Sequence, residues 1–113
     1  MNRATLECRW LALTRETLPS LAAQRGWPVS ADHCFQRILL DHVCGGCWYD
    51  HVGKRPAYRH LSEHHLAQAV ALAEAVAGGE ADLGALNAQS LRWRSARVGA
   101  RRVRSQIMPR RSP

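Results

Sequence analysis

Apolar residues recur along this chain at intervals of three and four and nowhere alternate over a useful length, so the pattern predicts helices and no sheet. The clearest stripe is Leu66, Val70, Ala73 and Val76, preceded by Ser62 as a cap and ended by Gly78-Gly79, which predicts a helix over 63–77. A second stripe, Phe35, Ile38, Leu39 and Val43, predicts a helix from 33 to 44 with Asp32 as its N-cap, Gly45-Gly46 as its stop, and Arg37 and Asp41 on the polar side. A last helix is expected behind Asp82, with Leu83, Leu86 and Leu91 facing inward. Toward the N-terminus, Thr17-Leu18-Pro19 suits a helix start, because a proline in the first turn gives up no needed N–H; Gly26 ends that helix and Trp27-Pro28 forces an extended link. Leu6, Trp10 and Leu13 share a face in a separate N-terminal segment.

The fold class expected is therefore all-α, a small irregular bundle of four to five helices with a disordered basic C-terminal tail. Its parts are an N-terminal segment over 1–16, a helical domain over 17–96 and an Arg-rich tail over 97–113. The helix over 33–44 should be central, the helix over 63–77 packed across it, and residues 53–60 a polar loop. A chain of 113 residues makes one domain, with little surplus for a deep cofactor cleft. No run approaches the roughly 20 apolar residues that cross a bilayer, and the apolar patch from Trp10 to Leu13 lies between Arg9 and Arg15, unlike a secretory signal. The expectation is a cytoplasmic protein without a membrane partner, in which Cys8, Cys34, Cys44 and Cys47 are thiols or ligands and no disulfide framework forms.

Charge changes this picture only at one end. Residues 1–91 carry eight Lys/Arg against nine Asp/Glu, whereas residues 92–113 carry eight Arg and no acid, so the net charge of +7 belongs to the tail. Arg92, Arg94, Arg97, Arg101, Arg102 and Arg104 are candidates for phosphate contacts with a nucleic acid, and Trp93 for stacking on a base. The simpler reading is a basic extension with no partner.

The candidate chemistry is concentrated at Cys44-Gly-Gly-Cys47. Two thiolates on a tight turn can span adjacent vertices of a zinc tetrahedron, and His51 with one of His33, Cys34 or His60 would complete the metal set, although a second Cys-x2-Cys is missing. A redox pair has the right spacing but the wrong end of the helix, since the C-terminal dipole raises a thiol pKa. The plainest expectation is no cofactor, with Cys34 and Cys44 as small buried hydrophobes and Cys47 a surface thiol. His33, Asp41, Asp50, Tyr49 and His51 include acids and bases, but no catalytic spacing joins them.

The segments Trp27-Pro28, His33-Cys34-Phe35-x-Arg37-Ile38, Trp48-Tyr49-Asp50, Arg55-Pro56-Ala57-Tyr58 and Leu86-Asn87-x-x-Ser90-Leu91-x-Trp93-Arg94 resemble short bacterial proteins, some labelled acetyltransferase-like, of the GCN5-related kind. That resemblance covers about residues 17–95 and implies acetyl-CoA. A GCN5-type enzyme also needs a mixed sheet and a Gln/Arg-x-x-Gly-x-Gly/Ala loop, and this sequence has neither, so no activity and no functional residue carries over. The function expected is a non-enzymatic binding or interaction module. The alternatives are a nucleic-acid-associated protein acting through its tail, and a small acetyltransferase-like or thiol- or zinc-dependent protein.

Overall fold

A computed structural model describes the backbone of residues 2–110 and the side chains of residues 2–98, and it is all-α, with no strand among the described residues. The helices are α1 (Arg3–Ala12), α2 (Leu18–Arg25), α3 (Asp32–Cys44), α4 (Ala57–His60), α5 (Glu63–Ala77) and α6 (Leu83–Arg110). A π-helical turn over Leu13–Thr17 joins α1 to α2, and a single 3-10 turn, Trp48–Asp50, follows α3. Among the described residues no helix is long and apolar enough to cross a membrane. The disordered tail expected over 97–113 falls, beyond Val98, on residues whose side chains lie outside the described part.

The two N-terminal segments read from the sequence are one rod. Proline cannot donate to the carbonyl four residues back and its ring crowds that carbonyl, which is why Thr17-Leu18-Pro19 looked like a fresh start. The π turn widens the backbone ahead of Pro19, the Leu18 N–H reaching back to the Leu13 carbonyl, so the chain passes the proline without breaking. Leu6, Trp10, Leu13, Thr14, Leu18 and Ala22 are all buried along it. Gly26, at φ 64°, closes α2 in the left-handed conformation that glycine adopts freely.

α3 is the central element, covered by α2, the π turn, α5 and α6. Phe35, Ile38 and Leu39 have no exposed surface, and each contributes about 1.5–3 kcal/mol by burial. The helix is also buried where a solvent face was expected: Asp41 is 0% exposed, because α6 lies along that side. Its N-cap is Ala31, and the Asp32 carboxylate sits one position further in, accepting from the His33 N–H at 2.7 Å. Gly45 ends the helix at φ 72°. Ser62 caps α5 through the His65 N–H, and Asp82 caps α6 through the Ala85 N–H, both as expected.

Two arginines of the N-terminal rod hold distant helix ends. Arg3 donates to the carbonyls of Leu61 (2.6 Å) and Tyr58 (2.8 Å), and Arg25 donates to the Val76 carbonyl near the end of α5 (3.0 Å). They satisfy carbonyls that a helix terminus leaves without intrahelical partners. The loop expected over 53–60 is shortened by α4, which is anchored in this way and buries Ala57 and Tyr58.

In α6 the expected inward set is half right: Leu83 is buried and Leu86 half-buried, but Leu91 is 48% exposed and Asn87 and Ser90 face inward instead. Replacing Leu39 by Ala should therefore cost about 2–5 kcal/mol in a urea titration, while Leu91→Ala should stay within about 0.5 kcal/mol of the parent.

Candidate functional site

Three elements meet at Asp41. Its carboxylate accepts from the Trp48 N–H (3.0 Å), from the Ser90 hydroxyl (2.6 Å), and from Arg94 through Nε (2.8 Å) and Nη2 (3.0 Å). Four donors answer a charge that would otherwise be very costly to bury. The carboxylate in turn holds the Arg94 guanidinium well above its ordinary pKa, against the opposing effect of burial. One turn earlier on α3, Arg37 donates to the Ser90 hydroxyl (2.8 Å) and the Asn87 side-chain carbonyl (2.7 Å), so its charge is met by neutral acceptors.

Beside this network lies a cleft of about 540 Å³, bounded by α1, the first turns of α3 and the segment from Trp48 to Tyr58. Its lining includes the buried Trp10 and Leu40 and the aromatic rings of Trp48, Tyr49 and Tyr58. Pro56, Ala57 and Tyr58 begin a short helix where a loop was expected, and the space opens between them and α3. Trp10 is wholly buried, and its Nε1 is a donor with no hydrogen-bond partner among the described residues.

The polar lining is made of donors and bases. It comprises His33, whose side chain is 82% exposed at the rim, Gln36, Arg37 and Arg55, with no carboxylate. The Arg55 guanidinium carbon lies 5.6 Å from the Trp48 ring centroid and 5.3 Å from that of Tyr49, and the Arg94 guanidinium carbon lies 4.8 Å from that of Tyr49. Tyr49 thus contacts two guanidinium groups while forming a wall of the cleft.

The zinc set read from the sequence is not assembled. His33 is at the start of α3 and Cys44 at its end, about 16 Å apart along the axis, and His33 opens toward the aromatic cleft. Cys44 and His51 instead line a second pocket of about 280 Å³ with His60 and His65. Among the described residues no group of three or more His, Cys, Asp or Glu stands where it could share a metal ion. The thiol assignments are also exchanged: Cys47 is buried, Cys34 and Cys44 are half-buried and Cys8 is exposed. Burial first, then the Asp41 and Cys47 charges, push the Cys44 thiol above its ordinary range.

Of the proposed nucleic-acid contacts, Arg94 is committed to Asp41, Arg97 donates to both Asp50 oxygens at 3.0 Å, and Arg92 donates to Gln89 at 2.7 Å. Trp93 packs edge-on against His42, whose Nε2 donates to the Leu86 carbonyl. The side chains of Arg101, Arg102 and Arg104 lie outside the described residues. Sequence reading singled out none of the cleft except His33, Tyr49 and the aromatic patch around Trp48. Arg55 and Tyr58 were visible as part of a loop and of a segment carrying the resemblance, without a site role, although an arginine a few residues from Trp-Tyr is a signal for stacking.

No family model, no curated protein and no solved structure matches the chain.

Two predictions follow from this geometry. Asp41→Ala should cost about 3–5 kcal/mol by denaturant unfolding, because it leaves Arg94 half-buried without its counter-charge. Iodoacetamide at pH 8 (about half a unit below an ordinary thiol pKa) should label the exposed Cys8 first and the half-buried Cys44 slowly, and the Cys44 rate should keep climbing at pH values where an ordinary thiol has levelled off. The same raised pKa means that this thiol's contribution to stability is intact below the unfolded-state value and is lost as pH rises through the folded one.

Proposed function

We propose that the protein is a non-enzymatic binding module and that the cleft beside α3 receives a small organic molecule with a flat apolar body. One observation carries the reading: a concave site of about 540 Å³ whose lining includes two tryptophans, two tyrosines and Leu40. Ligand sites are typically clefts of about 300–1,000 Å³, mostly apolar, with a few convergent polar groups. A ring entering this one slides between aromatic faces and displaces water from apolar surface, and His33, Gln36 and the arginines fix its orientation from the rim. The walls are braced from behind, since Trp48 is tied to Asp41 and Tyr58 to Arg3 by their backbone groups.

An NMR titration with neutral naphthol tests this. Amide shifts should move at Gln36, Leu40, Trp48, Tyr49 and Tyr58 and saturate with ligand, and Ala57→Phe, which fills the cleft from its wall, should weaken binding about tenfold or more, the loss of roughly 1.4 kcal/mol. Because an added ring can strain the wall, Tyr49→Ser at an exposed position serves as the second variant and should weaken binding as well. Shifts scattered over the surface, or unchanged affinity in both folded variants, would remove the cleft as the binding site.

A further inference from the structure

The cleft is also electrostatically one-sided, and this narrows what it takes. We propose that its occupant is an aromatic carboxylate, its ring against the Trp48, Tyr49 and Tyr58 walls and its carboxylate on the edge of the Arg55 guanidinium. This rests on the reading of the cleft as a ligand site and adds the charge and class of the ligand.

Three features point the same way. The lining holds two guanidinium groups and no carboxylate, while the neighbouring Arg94 and Arg97 are already neutralised by Asp41 and Asp50. A ligand with a negative charge therefore answers an imbalance that the protein leaves open at this place. Arg55 has no carboxylate partner among the described residues, and its guanidinium carbon lies 5.6 Å and 5.3 Å from two aromatic ring centroids. None of its N–H groups is spent on another side chain among the described residues, so the planar fork that matches a carboxylate with two parallel hydrogen bonds is open.

Arg37 sets the size of the charge. Its Nη1 and Nη2 each spend a proton on Ser90 and Asn87, so it adds positive potential without offering a complete second fork. One open fork and one supporting cation, already partly committed to Ser90 and Asn87, suit a monoanion better than a phosphate dianion, which calls for more charge and more free donors. The aromatic surface begins next to the fork, since Arg55 precedes Pro56, Ala57 and Tyr58 in the lining. Ring and carboxylate must therefore be directly joined or separated by a short link.

The full-length chain tests the proposal in one set of titrations at low salt with naphthoate, the uncharged naphthamide of the same shape, and adenosine monophosphate. Naphthoate should bind about tenfold more tightly than naphthamide, as expected for one charge-assisted contact. Arg55→Gln should erase that difference, so that acid and amide bind the variant alike, whereas Arg55→Lys, which keeps the charge and loses the fork, should restore only part of it. Arg55 is exposed, so both variants should fold, which their thermal transitions verify. Equal affinity for acid and amide at the cleft would overturn the anion and leave the cleft as a site for neutral rings. Failure of acid, amide and naphthol alike would overturn the site itself, and tighter binding of adenosine monophosphate than of naphthoate would replace the carboxylate by a nucleotide phosphate.

Discussion

The arrangement of this bundle depends on satisfying one buried negative charge. Asp41 sits in the middle helix with no exposed surface, and all four of its hydrogen bonds come from elements that follow it in the chain: the turn at Trp48 and the helix bearing Ser90 and Arg94. Hydrophobic contact alone would let α6 slide or rotate on α3, since its described inward surface is mixed, with Leu83 and Leu86 followed by Asn87 and Ser90. A bidentate arginine and a short hydroxyl bond have a single geometry, so they fix the register of that helix. Such a network is worth little as net stabilisation relative to a well-packed apolar substitute, but losing one member leaves the others expensively unpaired. The same carboxylate fixes the start of the Trp48 turn, and through it one wall of the cleft.

The sequence made the helices easy to see and their burial harder. Stripes such as Leu66, Val70, Ala73 and Val76 report local periodicity, and the left-handed glycines at 26, 45 and 79 mark ends by a backbone property that needs no partner. Asp41 was assigned to the polar side because a carboxylate within a helix is usually solvated, and its neutralising partners lie 49 and 53 residues away. The same distance hides the exchange by which Ser90 faces the core and Leu91 faces solvent. Pro19 misled for a different reason: its local effect is real, and the π turn that accommodates it has no strong signature in residue type.

The candidate site was legible as chemistry and illegible as place. Cysteines and histidines drew attention to the turn after α3, yet the helix between His33 and Cys44 is a rigid spacer that keeps the ends of the supposed ligand set apart. The cleft is built from Trp10, Leu40, Trp48, Tyr49 and Tyr58, residues that a single sequence presents simply as core material or aromatic surface. Their convergence depends on the carbonyls of Tyr58 and Leu61 being pulled to Arg3, contacts across 55 and 58 residues of chain.

The π turn in the N-terminal rod also sets a phase. Leu6, Trp10, Thr14, Leu18 and Ala22 are spaced by four and all are buried, yet in a regular helix of 3.6 residues per turn each step of four drifts by about 40°. Uncorrected, the last of these side chains would have rotated by about 160° from the first and would point to water. The wider turn at Leu13–Thr17 takes back part of that rotation in the middle of the rod, as the insertion of an extra residue would, and the two halves stay in step. Residue count and angular position are thereby uncoupled at this one place, and a rod of uneven pitch keeps a single face toward the bundle from Leu6 to Ala22.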